Sequence, residues 1–204
     1  MNLKEFYNYH VKKYFNTGFL VLLLVFFLSS IFFLLNSDVA MKVIDKFMEN
    51  VGKNIVLDGK VSAIGLIRNN ITACLVMVLL GLVPYLFLPY FSLIINGAVI
   101  GAALGMIVAK LGMVGYLAFI LSVVPHGIFE IPAIVLSFAL GVSVCKYLMD
   151  RMNKVPTTTG KTFFLNLSKM FFLVVIPLLL VAGVVEAYVT PIISSLVMWG
   201  MLWM

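Results

Sequence analysis

Charged side chains are scarce in this sequence. Its 204 residues include 14 Lys or Arg and 8 Asp or Glu, so that 11% are charged, whereas an ordinary soluble domain has about 25%. A water-soluble protein cannot cover its surface with so few charges, and an apolar content of 63% is the opposite of a disordered chain. The composition therefore excludes a soluble enzyme, a DNA-binding module and a disordered tail.

Cysteine and histidine are also rare, with two of each. Cys74 and Cys145 both fall inside apolar segments, and two cysteines without paired spacing indicate neither a disulfide framework nor a zinc ribbon. We interpret both as small packing residues. The sequence also has no His-Glu-x-x-His pattern and no nucleophilic serine elbow, so it carries no common hydrolase motif and is not expected to be an enzyme.

Acidic and basic residues are nearly absent from four long stretches. A helix of about 20 apolar residues crosses the hydrocarbon core of a bilayer, so stretches of this length predict membrane spans. Pro84 and Pro89 mark a turn that divides the longest charge-free run into two spans. The sequence predicts an all-α integral membrane protein, a single domain over 1–204, with five transmembrane helices at about 18–36, 69–88, 92–110, 125–146 and 170–190.

The net charge of +6 comes from cations in the short segments between the predicted spans. This is the arrangement that orients membrane proteins, and it favours the lipid bilayer over nucleic acid as the partner. Five cations against one acid in 147–169 predict a cytoplasmic loop. We therefore expect a multi-pass cell-membrane protein with its N-terminus in the cytoplasm, the polar segment 37–68 outside and the C-terminus outside.

Two segments are expected to depart from simple spans. Residues 111–145 are too long for one crossing, and Pro125 predicts a break after a re-entrant or interfacial piece near 113–125. Apolar residues at three- and four-residue spacing between Asp38 and Gly52 predict an amphipathic helix near 38–52, lying on the membrane or on a partner. After it, Asp58-Gly59 predicts a turn, and Trp199 and Trp203 suit the membrane interface.

Small residues repeat every four positions in the third predicted span. Gly97, Gly101, Gly105 and Ala109 form a ridge on which another helix can approach closely. A similar ridge of Ala133, Ser137, Gly141 and Cys145 lies in the fourth span. The pattern predicts tight helix association, either within the chain or in a homodimer.

Three ionisable side chains lie well inside apolar segments: His126, Glu130 and Glu186. His126 and Glu130 are four residues apart and share one helix face. Glu130 is 16 residues from Lys146 and Glu186 is 17 residues from Lys169, which places both carboxylates at about 24–25 Å along their helices. We therefore expect the three groups to meet at one depth.

One histidine and two carboxylates in an apolar environment form a plausible ligand set for zinc or another divalent metal. Two carboxylates brought together must otherwise share a proton. The alternatives are a hydrogen-bonded pair that pins two helices, an intramembrane zinc metallohydrolase, and a proton- or ion-coupled transporter that uses the glutamates.

Several motifs resemble the stage II sporulation protein M family. They are Arg68-Asn69-Asn70, the stretch from Asn96-Gly97 to Gly101, the block Pro125-His126-Gly127-Ile128-Phe129-Glu130-Ile131-Pro132, and the block Ala182-Gly183-Val184-Val185-Glu186-Ala187-Tyr188-Val189-Thr190-Pro191. The resemblance covers roughly residues 60–195.

The resemblance implies a membrane scaffold that acts in engulfment of the forespore. In that role it anchors and localises two peptidoglycan-degrading partners, the stage II sporulation proteins D and P, and no catalytic activity is implied. The outer segment 37–68 and the C-terminal tail would then be the natural partner surfaces.

Overall fold

The fold is a helical bundle. The computed structural model describes residues 1–57 and 60–193, which form five helices and one short strand pair. Their bounds are α1 Leu3–Leu35, α2 Ser37–Ile55, β1 Val56–Leu57, β2 Lys60–Val61, α3 Ala63–Leu82, α4 Pro89–Met152 and α5 Gly160–Ile193. The two strands pair antiparallel, with Val56 opposite Val61.

Four of these helices, α1, α3, α4 and α5, are long and apolar enough to cross a membrane. The predicted class, a helical membrane protein, is confirmed at this level. Among them α4 has 64 residues and would extend about 96 Å if it were straight, far beyond the thickness of a bilayer. It must therefore bend sharply.

The bend in α4 lies at Gly112, where the backbone has φ 58° and ψ −138°, a conformation that glycine adopts readily. The chain folds back there, because a Cβ on Gly115 would lie 2.5 Å from the carbonyl oxygen of Ile107. We call 89–111 the first arm and 113–152 the second arm of α4.

The predicted break at Pro125 is wrong. The second arm stays helical through Pro125 and Pro132, so 113–125 is the start of a long helix and not a separate re-entrant piece. A proline in a membrane helix is tolerated where neighbouring groups satisfy the freed backbone, whereas a backbone of positive φ ends regular helix geometry outright.

The glycine ridge of the first arm packs against α1 of the same chain. A Cβ on Gly97 would meet Leu22 and Val25, and one on Gly105 would meet the backbone of Ser30 and Phe33. Contact positions rise together along both helices, so α1 and the first arm run in the same direction. The ridge is thus occupied within the chain, and a homodimer stays a prediction that this ridge does not support.

The second arm forms the centre of the bundle. Every residue from Ala133 to Cys145 is buried, including the second small-residue ridge. Gly141 and Gly81 approach so closely that neither site has room for a side chain, which brings α3 against the second arm. Cys74 and Cys145 are both free and buried, in agreement with their interpretation as packing residues.

The amphipathic helix is present as α2, and it is longer than predicted, since it passes Gly52 and ends at Ile55. It packs on the bundle, where Ala40 is fully buried against Phe33 and Ala102. We call the end of the bundle that carries α2 and Gly112 the α2 end. The opposite, N-terminal end joins the start of α1 to the α4–α5 connection, for example through Asn166, which donates to the carbonyl of Met1.

Other helix boundaries also differ from the predictions. Helix α3 begins at Ala63 and ends at Leu82, ahead of Pro84, because the second span starts six residues earlier than 69–88. The segment 147–169 is mostly helical, since α4 reaches Met152 and α5 starts at Gly160. Helix α5 continues through Pro191 to Ile193. The predicted turn at 58–59 and both tryptophans lie outside the described residues.

Candidate metal centre

The second arm of α4 and helix α5 bring the three predicted site residues together. One ligand atom each from His126, Glu130 and Glu186 lies within 4.8 Å of the other two. The three residues come from positions up to 60 apart in the sequence, so only the antiparallel packing of the two helices unites them. Their role as metal ligands stays a prediction.

His126 and Glu130 occupy successive turns on one face of the second arm. His126 Nε2 lies 3.9 Å from Glu130 Oε2, and the side chains are 12% and 22% exposed. This is longer than a hydrogen bond. The two groups therefore face each other across a gap of the kind that a shared cation or proton fills.

Glu186 lies in a single turn of π-helix, Val185–Val189, within α5. Such turns often mark functional sites, because the extra residue redirects side chains from the regular helical face. Just before this turn, Gly183 packs against Ile67 with no room for a Cβ. The small residue lets α5 approach α3, next to the second arm that carries the other two ligands.

Thr190 orients the histidine ring. Its hydroxyl donates to the carbonyl oxygen of Ser122 at 3.4 Å and lies 3.4 Å from His126 Nδ1. A hydroxyl has one proton to give, so with that proton on Ser122 the threonine oxygen accepts from Nδ1–H. The lone pair of Nε2 then faces Glu130. Metal-binding histidines are commonly fixed through their second nitrogen in this way.

The charges of the cluster match a divalent cation. Two ionised carboxylates at this separation in a membrane repel strongly, so the site holds either a proton or a cation. One divalent ion with two carboxylates and a neutral imidazole has zero net charge. Zinc accepts this ligand set at about 2.0–2.2 Å, so the three ligand atoms would draw closer on binding, to separations of about 3.3 Å.

A cavity of about 410 Å³ adjoins the cluster. It lies between α2, α3 and both arms of α4, and His126 and Glu130 form part of its wall. Most of the lining is apolar, yet three asparagines also line it: Asn69, Asn70 and Asn96.

Sequence reasoning found the three central residues but missed their surroundings. Thr190 was noted only as part of the motif that ends at Pro191, and no role was predicted for it. The three asparagines likewise belonged to family-like motifs without an assigned function. Polar side chains inside apolar segments are the signal that points to them.

Comparison with known proteins supports the resemblance. The model of the family described as Stage II sporulation protein M matches residues 19–191. The chain belongs to this family. Both functional motifs, the one around His126 and the one around Glu186, fall within the matched range, and so does the whole cavity.

Relatives of this chain are found in an archaeon. Two uncharacterized proteins of Methanocaldococcus jannaschii are each 29% identical to it. One aligns over 177 residues, 85% of this chain and 93% of the relative; the other aligns over 173 residues, 84% of this chain and 75% of the relative. No solved structure matches.

Proposed function

We propose that this protein is a membrane scaffold of five spans whose bundle is stabilised by one zinc ion on His126, Glu130 and Glu186. The scaffold positions partner proteins at the membrane surface. By family membership we propose peptidoglycan-degrading partners, the stage II sporulation proteins D and P, and action during engulfment.

One observation carries the metal proposal: three suitable ligand atoms lie within 4.8 Å of one another on two different helices. A charged residue inside a membrane span costs several kcal/mol unless it is paired, and here three ionisable groups share one place. A cation that neutralises both glutamates removes this cost and ties α5 to the second arm.

The directions of the helices support five spans. Helix α1 runs from the N-terminal end to the α2 end, and the contacts of Gly141 with Met77 and Gly81 show that α3 runs alongside the second arm in the opposite direction. The contact of Thr190 with Ser122 makes α5 antiparallel to that arm. With α4 counted as two arms, direction alternates five times, and the N-terminus and the described end of α5 lie on opposite sides.

Metal content tests the proposed site. Purified wild-type protein is expected to contain about one zinc per chain, and Glu130→Gln and Glu186→Gln are each expected to lose at least about nine-tenths of it, since removal of one ligand weakens a three-residue site severely. Inductively coupled plasma mass spectrometry provides the measurement. Glu49→Gln, on the exposed side of α2, is the matched control and should retain zinc.

Zinc at wild-type level in both glutamine variants would contradict the site, and so would the absence of any divalent metal from the wild-type protein after purification without chelator. Folding of each variant is checked by gel filtration in detergent, so that loss of zinc is not confused with loss of structure.

The scaffold role makes a separate prediction about α2. Its polar side is exposed at Lys42 and Glu49, and reversing both charges, Lys42→Glu with Glu49→Lys, is expected to weaken co-purification of co-expressed partners at least about fivefold, because rim charges steer and select partners. Zinc content should not change. Undiminished co-purification would show that α2 is not the partner surface.

A further inference from the structure

The cavity beside the cluster has a lining that the scaffold role does not require. Cavities between membrane helices are normally filled by apolar side chains or lipid, yet this one of about 410 Å³ exposes three carboxamides, an imidazole and a carboxylate. Polar groups within spans usually face protein or water-filled space. The inference drawn from this cavity rests on the proposed zinc site.

The polar lining connects the cluster to the surface at the α2 end. Arg68 is exposed, and the neighbouring Asn69 and Asn70 line the cavity. Cys74, also in the lining, is six residues from Arg68 on the same helix, a distance of about 9 Å along the axis. The route from a charged surface residue to the level of the cluster is therefore short.

The size and chemistry of the cavity suit water. Each molecule takes about 30 Å³ of liquid volume, so the cavity has room for on the order of ten, and buried waters need several polar partners. Asn96 offers its carboxamide from the first arm, and Asn69 and Asn70 offer theirs from α3. Carboxamide oxygens can also replace the waters of a hydrated cation one at a time.

The cluster is reached from one side of this cavity. His126 and Glu130 belong to its lining, whereas Glu186, from α5, is not among the lining residues that the structure describes. A cation that arrives through the cavity meets His126 and Glu130 first and Glu186 last. Three protein ligands also leave the fourth position of a tetrahedral zinc ion open.

We propose that the cavity is a hydrated vestibule through which a divalent cation reaches the zinc site from the α2 end. Asn69, Asn70 and Asn96 replace part of the hydration shell on the way, and water in the vestibule occupies the fourth coordination position. Zinc in this protein is thus exchangeable from one face of the membrane.

Cysteine labelling tests the vestibule with a matched pair of positions on α3. Ala73 lines the cavity, whereas Val76 is 46% exposed outside it and lies about 4.5 Å further along the helix. Each is replaced by cysteine in a Cys74→Ala, Cys145→Ala background, and the protein is placed in lipid nanodiscs. A negatively charged methanethiosulfonate reagent then reacts only with thiols that meet water.

In metal-free protein, Ala73→Cys is expected to react at least about tenfold faster than Val76→Cys, because the reagent attacks a hydrated thiolate. Saturating zinc should slow the reaction at position 73 at least about fivefold, since the ion and its ligands then close the inner part of the cavity. Adding Glu130→Gln should abolish this protection by zinc and leave the metal-free rate high.

Equal rates at the two positions would overturn the vestibule, even in protein that binds one zinc. Fast labelling that zinc does not slow, in samples shown by metal analysis to be loaded, would overturn the cavity as the route to the site. Failure of zinc to bind at all would instead contradict the proposed zinc site itself, so the two failures are distinguished by measuring metal content on the same samples.

Discussion

Removal of zinc with EDTA is expected to lower the Tm of the wild-type protein by roughly 10 °C. A ligand that binds only the folded state at 1,000 times its Kd contributes about 4 kcal/mol, and one kcal/mol shifts the Tm of a chain of this size by roughly 2–4 °C. Thermal unfolding in detergent, followed by circular dichroism with and without EDTA, provides the measurement.

The Glu186→Gln variant is the control for this effect. It lacks the ligand supplied by α5, so its Tm should not respond to EDTA. Acidification should act in the same direction as the chelator, because protons compete with metal for carboxylates and imidazole and the affinity for zinc falls as pH falls. A wild-type Tm unchanged by EDTA in zinc-loaded protein would contradict a stabilising metal.

Replacement of Gly101 by valine is expected to disrupt the packing of α1 on the first arm of α4. A Cβ at this position would coincide with Ser29 Oγ and lie 2.7 Å from the carbonyl oxygen of Phe26, and backbone atoms cannot move aside as a flexible side chain does. Overpacking of a well-packed site costs about 1–3 kcal/mol or more, which corresponds to roughly 5–10 °C in Tm.

Gly127→Ala provides the matched control within the same helix. A Cβ there would meet only the side chains of Ile131 and Val123, at 3.6 and 3.7 Å, which is ordinary van der Waals contact, and alanine favours helix over glycine by up to about 1 kcal/mol. Its Tm should be unchanged or slightly higher. If Gly101→Val were as stable as Gly127→Ala, the packing of α1 on the glycine ridge would be wrong.

Much of the fold follows from where charges are absent. The charge-free runs located each of the long apolar helices, and the periodicity after Asp38 located α2. The reversal in α4 was misplaced because Pro125 is a strong helix breaker in water, whereas membrane helices tolerate proline. The turn occurs instead at Gly112, a single glycine between Leu111 and Met113 with no further turn signal in the sequence.

The site was predictable to the extent that helical rise is regular. Counting from Lys146 and Lys169 placed Glu130 and Glu186 at one depth, and the structure brings them together with His126. The count contained no information about which helix faces meet, nor about the π-helical turn that presents Glu186. The role of Thr190 depends on a contact with Ser122, 68 residues away, which no local pattern predicts.

The central claim is that one divalent metal joins α5 to the second arm inside the membrane. The most direct measurement is anomalous X-ray diffraction from crystals of the metal-loaded protein, recorded on both sides of the zinc absorption edge. The account predicts one anomalous peak per chain, within about 2.0–2.2 Å of His126 Nε2 and of an oxygen of each glutamate, present above the edge and strongly reduced below it. Anomalous maps without a peak at these three residues, from crystals whose protein contains stoichiometric zinc, would contradict it.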